Sequence, residues 1–192
     1  LLHFLLTGIN LSFLTSDIFN LYVAFELMLL SSFGLMTLEQ KKNRIQLSMP
    51  YVLINIFGSL FFLICCGLIY AYAGTLNFAY LSKVFAGVED STYLQVLCLV
   101  LTLVMGVKAG VFPLYYWLPN SYPSLPIPIL AFYSGMLTKV GVYVLLRLNA
   151  TLFPDDFSLI HETLLWIAAF TMIFGVLGAI SRNFTRGILS FH

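Results

Sequence analysis

The sequence predicts an all-α bundle of transmembrane helices, and three observations support that prediction. First, 60% of the 192 residues are hydrophobic and only 9% are charged, whereas soluble domains carry about a quarter charged residues. Second, the apolar residues form continuous runs about as long as the ~20 residues that a membrane-crossing helix needs. Third, these runs lack the period-two alternation of transmembrane barrel strands. Lipid is therefore expected to cover most of the apolar surface.

Five apolar segments are long enough to span a bilayer, and two partial segments flank them at about 1–15 and 187–192. The complete segments are predicted at 18–38, 49–73, 93–118, 127–149 and 159–180. Ser48 and Pro50 suit the start of the second one, because proline is tolerated in the first turn of a helix. Since there is no initiator methionine and the sequence ends in an apolar run, we expect residues 1–192 to be one transmembrane domain, a fragment truncated at both ends.

Charged residues lie mainly in the connectors between these segments. Threading the chain back and forth across the membrane places two basic residues, Lys83 and Arg147, on one side and five on the other: Lys41, Lys42, Arg44, Arg182 and Arg186. Because an excess of Lys and Arg marks the cytoplasmic side, the 39–48 connector is expected to be cytoplasmic. The net charge of +1 gives no indication of a nucleic-acid partner.

The stretch 106–128 interrupts the third complete segment, and it contains five of the chain's seven prolines. Pro113 should break or kink the helix just after Lys108, because proline lacks a backbone donor and clashes with the preceding turn. Gly106 and Gly110 permit close approach of another backbone or of water. Interrupted helices persist in membranes only where protein or a wet cavity satisfies the freed backbone groups. The break therefore predicts a site; the alternative is a kinked helix used for packing alone.

Three ionisable residues, Glu26, Lys108 and Lys139, lie deep inside apolar segments. A charged side chain at mid-bilayer costs about 2.5–3.5 kcal/mol on insertion scales, so these three are expected to face inward, pair, bind water or be neutral part of the time. Glu26 and Lys139 lie too near mid-segment to reach the interface by snorkelling. We interpret the set as a proton relay, since a lysine whose charge depends on a movable carboxylate can load and release a proton. The alternative is a static ion pair that fixes helix packing.

Residues one helical turn away share faces with these groups. Tyr22 lies four residues before Glu26, and Gly135 and Tyr143 flank Lys139 at the same spacing, which describes a lining that could hold water.

Three other features weigh less. Asp17 precedes a segment, where a capping or interfacial role is expected, and it remains a candidate accessory residue. His192 is a candidate member of a polar axis through the membrane. The cysteines lie in apolar runs and are interpreted as packing residues. Because the sequence shows no nucleophile triad, phosphate loop, dinucleotide fingerprint or metal-ligand spacing, we expect no metal, no cofactor and no catalytic chemistry of the chain's own.

Four stretches of the sequence resemble the antiporter-like membrane subunits. This family unites subunits of Mrp-type multisubunit sodium/proton antiporters, the proton-pumping membrane subunits of respiratory complex I, and membrane-bound hydrogenases. The stretches are 17–28 (DIFNLYVAFELM), 108–119 (KAGVFPLYYWLP), 137–143 (LTKVGVY) and 188–192 (ILSFH). The variant at 112–122 is most similar to the D-type subunits of the Mrp antiporters.

The resemblance implies a fold of about fourteen helices in two inverted repeats, of which this chain would be a part. It implies that Glu26 and Lys108 pair and modulate each other, and that Lys139 passes protons along a central hydrophilic axis. The implied function is that of a subunit of a monovalent cation (sodium)/proton antiporter, with other membrane subunits as partners, in the cell membrane of a bacterium or archaeon.

Other functions remain open on the sequence. The first alternative is a proton-translocating membrane subunit of a complex I-type NADH:quinone oxidoreductase or of a membrane-bound hydrogenase. A seven-segment photoreceptor with a lysine Schiff base and a purely structural subunit are two further hypotheses.

Overall fold

The structure, a computed structural model, describes residues 1–38, 42–87, 91–153 and 158–191. Over these ranges the chain is a bundle of α-helices interrupted by short 3₁₀ and π turns. The α-helices are α1 (Leu2–Leu14), α2 (Ile18–Thr37), α3 (Lys42–Ala73), α4 (Phe78–Ala86), α5 (Thr92–Ala109), α6 (Trp117–Ser121), α7 (Ile127–Phe132), α8 (Thr138–Thr151), α9 (Ser158–Ile180) and α10 (Thr185–Leu189). The all-α prediction is confirmed for this part of the chain.

Within these described ranges, five helical stretches are long and apolar enough to cross a membrane. They are Ile18–Thr37, Ile45–Ala73, Thr92–Ser121, Ile127–Thr151 and Leu159–Ile180. Each coincides with a predicted segment to within a few residues, because continuous hydrophobicity over this length is the strongest pattern in a membrane sequence. The third and fourth stretches are each assembled from several shorter helical pieces, so irregular backbone lies within two of the candidate membrane spans.

The predicted start of the second segment is wrong. Helix α3 begins at Lys42, so Ser48 and Pro50 lie inside it, and the Ser48 hydroxyl donates to the Ile45 carbonyl at 2.9 Å. A helix does not have to end where its apolar run ends, and here it extends beyond the hydrophobic stretch through polar residues. The expected 39–48 connector is shorter as a result: residues 42–48 are helical, and 39–41 lie outside the described residues.

The stretch 74–92, between the second and third predicted segments, contains an additional helix, α4. Asn77 caps it, with its side-chain oxygen accepting from the Ala79 amide at 3.0 Å. The apolar residues Phe78, Leu81 and Phe85 are buried at helical spacing, a pattern typical of an amphipathic surface helix. The helix is shorter than a membrane span, so a search for long apolar runs misses it.

Two turns meet at one end of the bundle. The Ile18 amide donates to the Leu76 carbonyl and the Phe78 amide donates to the Ser16 carbonyl, both at 2.9 Å. The turn that precedes α2 and the turn that follows α3 therefore lie on the same side, as alternating membrane crossings require.

The core lies between α1, α2, α3, α5 and α8, which pack on one another in that order. The cysteines are free and buried in it, as packing residues would be: Cys65, Cys66 and Cys98. Helix α9 lies at the edge of the bundle, and its apolar side chains are largely exposed in this chain.

Candidate functional site

The third membrane stretch breaks where the sequence predicts it, immediately after Lys108. Helix α5 ends at Ala109, and Gly110 adopts the left-handed conformation with φ 71° and ψ 41°. Its amide donates to the Gly106 carbonyl at 2.9 Å, which is the usual way in which a glycine ends a helix. The location of the break is therefore confirmed, and Gly110 ends the helix before Pro113 is reached.

Protein groups satisfy the backbone and side chains beyond the break. The Phe112 amide donates to the Thr171 hydroxyl of α9 at 3.0 Å. The Trp117 indole donates back to the Val107 carbonyl at 3.1 Å, and the Ser121 hydroxyl donates to the Leu47 carbonyl of α3 at 2.9 Å. The irregular backbone is thus held by α3, α5 and α9, as interrupted helices in membranes require.

Lys108 lies on the last turn of α5 and is only 6% exposed. Its ammonium donates to the Ser59 hydroxyl at 2.8 Å and to the Asn55 carbonyl at 3.2 Å. A cavity of about 20 Å³ adjoins it, lined in part by Tyr51 and Trp117. That volume is enough for about one water molecule, so the lysine sits in a tight compartment whose other lining residues are mainly apolar.

Glu26 lies on α2, next to Phe25, whose ring is 5.7 Å from the Lys108 ammonium nitrogen. Its Oε1 atom is buried and has no hydrogen-bond partner in the described part of the chain. The Lys108 ammonium donates its hydrogen bonds to Ser59 and Asn55 of α3, and not to this Oε1 atom. A buried carboxylate oxygen without a partner is rare in folded proteins and points to a functional environment.

Lys139 lies on the first turn of α8 after a π-helical segment, Tyr133–Leu137. Its side chain is exposed in this chain, unlike the enclosed position that the sequence predicts, because it opens into a wide cavity. Its ammonium donates to the Ser134 carbonyl at 2.6 Å. The side chain lines a cavity of about 240 Å³ between the break, α8, α9 and α10. Polar side chains contribute to that lining, including Tyr115, Tyr122, Ser134, Thr138, Thr171 and Ser190. This cavity has room for several waters.

The two lysines lie on neighbouring helices, Lys108 on α5 and Lys139 on α8. Helix α8 crosses α5 at Gly141, where a Cβ atom would lie 2.5 Å from the Ala109 nitrogen. The close approach places the segment that carries Lys139 directly against the end of the helix that carries Lys108.

The accessory candidates differ in what they contact. Asp17 caps α2 by accepting from the Phe19 and Asn20 amides at 2.9 and 3.0 Å. Tyr143 points towards α1, where its hydroxyl is 3.4 Å from the Phe13 carbonyl oxygen.

The remaining candidates contribute less. Tyr22 is half-buried and packs edge-on against Phe62. A Cβ atom at Gly135 would have no neighbour within 4 Å, so that face is open. His192 lies outside the described residues.

Sequence reasoning missed the groups that hold Lys108. Asn55 and Ser59 are buried polar residues one helical turn apart within the second apolar segment. Their spacing in the sequence could have indicated a polar contact, since polar side chains on one face of a membrane helix usually meet a polar partner. Which helix they meet depends on the packing of α3 against α5, and the sequence alone does not give that.

Comparisons with known proteins agree with this architecture. Residues 15–191 match the family described as NADH:quinone oxidoreductase/Mrp antiporter, transmembrane. The D-type subunit of the Na(+)/H(+) antiporter of Alkalihalophilus pseudofirmus is 43% identical over 189 residues, which are 98% of this chain and 38% of that protein.

Two solved structures are also similar. A chain of the membrane-bound sulfane sulfur reductase, an archaeal respiratory membrane complex, has a TM-score of 0.91 at 30% identity, over 98% of this chain and 39% of that one. A chain of the Mrp complex from Dietzia sp. has a TM-score of 0.88 at 32% identity, over 98% of this chain and 35% of that one. The chain thus spans less than half the length of each of these relatives.

Proposed function

Because the chain belongs to the NADH:quinone oxidoreductase/Mrp antiporter transmembrane family, we propose that it is part of a subunit that exchanges a monovalent cation, sodium, for protons. Glu26, Lys108 and Lys139 carry the protons, and other membrane subunits complete the path. The chain is an integral membrane protein, and we propose a bacterial or archaeal cell membrane as its location. Its contribution is translocation, without bond-making chemistry of its own.

The observation that carries this proposal is the contrast between the two lysine sites. Lys108 is buried beside about 20 Å³ of free volume, whereas Lys139 is exposed in this chain and lines a cavity of about 240 Å³. A charged lysine is better solvated where its side chain is exposed and the cavity is large enough for several waters. Transfer of a proton from Lys108 to Lys139 is therefore favourable, unless the negative charge of the Glu26 carboxylate stabilises protonated Lys108. A carboxylate that changes its distance to Lys108 would then control transfer.

The runner-up is a proton-translocating subunit of a redox-driven membrane complex. It is favoured by the 0.91 TM-score to a chain of a respiratory complex, and it would use the same lysines. The antiporter is preferred because a D-type subunit of a sodium/proton antiporter is 43% identical over almost the whole of this chain. The two functions differ in what drives proton movement.

The test is exchange in proteoliposomes that contain the full-length subunit within its complete complex. An imposed sodium gradient is expected to move protons in the absence of any electron donor, measured with a pH-sensitive dye trapped inside. Potassium at equal concentration is the control cation. Proton movement that appears only when an electron donor and acceptor are added would instead establish the runner-up.

We also propose that the α2–α3 connector faces the cytoplasm and the α3–α5 connector faces outward, from the excess of Lys and Arg. Single cysteines at Asn43 and Gly87, in a background without the native cysteines, are expected to react with a membrane-impermeant thiol reagent from opposite sides. Intact cells should label only position 87, and inverted vesicles only position 43. Equal labelling of both positions from outside would contradict this topology.

A further inference from the structure

Three buried hydroxyl groups connect the surroundings of Lys108 to those of Lys139. Ser32 on α2 is 0% exposed, Tyr51 on α3 is 2% exposed, and Tyr133, the first residue of the π-helical segment, is 0% exposed. None of them was among the residues singled out from the sequence. Tyr51 also lines the small cavity next to Lys108.

The three residues form one hydrogen-bonded network. The Ser32 hydroxyl is hydrogen-bonded to the Tyr51 hydroxyl and also donates to the Leu29 carbonyl at 2.8 Å. The Tyr133 hydroxyl donates to the Ser32 carbonyl at 2.7 Å. The first residue of the π-helical segment is therefore tied to α2, and through α2 to α3.

The same π-helical segment supplies the acceptor for Lys139. Ser134 follows Tyr133 directly, and its carbonyl receives the 2.6 Å hydrogen bond from the Lys139 ammonium. A π-helical turn is less favourable than an α-helical one and tends to persist where a specific contact holds it, often at a functional site. The Tyr133 ring packs against Tyr122, with 6.1 Å between the ring centroids, and the Tyr133 hydroxyl adds a polar contact between the start of this turn and α2.

We propose that Tyr133 is a positioning residue: its hydrogen bond to the Ser32 carbonyl holds the π-helical segment in place, so that the Ser134 carbonyl receives the Lys139 ammonium. Tyr51 extends the same network to the Lys108 cavity and thereby couples the packing around the two lysines. This inference rests on the proposed role of Lys139 in proton transfer. What it requires of Tyr133 is a hydrogen-bond donor at the para position, and not a phenol that exchanges its own proton.

The test compares two replacements of Tyr133 in the complete complex. Tyr133→Phe removes the donor and keeps the ring, and we expect the maximal exchange rate per assembled complex to fall about fivefold, the factor that corresponds to one typical net hydrogen bond. The sodium concentration at half-maximal rate should not change. Incorporation of 4-aminophenylalanine at position 133 restores a para donor and should restore most of the rate. Tyr70→Phe, at a position that is 58% exposed on α3, is the matched control.

Each outcome decides for or against the proposal. A normal rate per assembled complex in Tyr133→Phe, with only lower thermal stability, would show that the hydroxyl merely contributes to folding. If Tyr133→Phe does not assemble, the 4-aminophenylalanine variant decides, because an assembled variant that keeps the donor yet remains fivefold slow would contradict the proposal. If the Tyr133 variants contradict the proposal while Lys139→Arg abolishes transport, only this inference is refuted. Normal transport by Lys139→Arg would contradict the proposed function itself.

Discussion

Gly141→Leu is expected to abolish assembly of the subunit into its complex. A Cβ atom at this position would lie 2.5 Å from the Ala109 nitrogen and 2.8 Å from the Lys108 carbonyl carbon. Both are backbone atoms, so the clash cannot be relieved by turning a side chain. Overpacking a close-packed interior typically costs about 1–3 kcal/mol and occasionally more, and here α8 would have to move away from α5 at the point where the two lysine-bearing segments meet.

The matched control for this prediction is Gly67→Leu. A Cβ atom at Gly67 would meet nothing within 4 Å, so leucine there should extend into open space and leave assembly unchanged. The measurement is the fraction of tagged subunit that co-purifies with its partners from detergent-solubilised membranes. Recovery of Gly141→Leu complexes at the level of the control would show that α5 and α8 are not in close contact.

The positions of the membrane spans follow from the sequence because hydrophobicity alone determines them. A helix in lipid satisfies its own backbone, so a long apolar run such as 159–180 is recognisable without knowledge of its neighbours. The break after Lys108 was predictable for a similar reason, since glycine and proline act on the local backbone. The polar extension of α3 and the short amphipathic α4 were missed because neither contains a long apolar run.

The partners of the two lysines were not predictable in the same way. The hydrogen bonds from Lys108 to Asn55 and Ser59 join residues about fifty positions apart, and they depend on how α3 is rotated against α5. The π-helical turn before Lys139 is likewise a property of the backbone, with no composition that distinguishes it from an α-helical turn. The sequence identified the charged residues and the apolar segments that carry them, but not the tertiary packing that surrounds each lysine.

The cavities make Lys139 a better position than Lys108 for testing proton transfer. Arginine keeps the positive charge but is effectively never deprotonated in proteins. At Lys108, with about 20 Å³ of free volume, the larger guanidinium would also disturb packing. Lys108→Arg is therefore expected to be severely defective through both effects. At Lys139, a cavity of about 240 Å³ can accept the larger group, so the loss of a releasable proton is isolated there.

The most direct measurement of the relay is sodium-driven proton movement by the assembled Lys139→Arg complex in proteoliposomes, normalised to the amount of co-purified complex. We predict that transport falls to the level of empty liposomes while assembly is retained, because a permanently charged side chain can neither receive nor release the proton. Lys83→Arg, which makes the same change at an exposed position on α4, should transport normally. Near-normal proton movement by assembled Lys139→Arg would contradict the relay and leave Lys139 as a fixed charge.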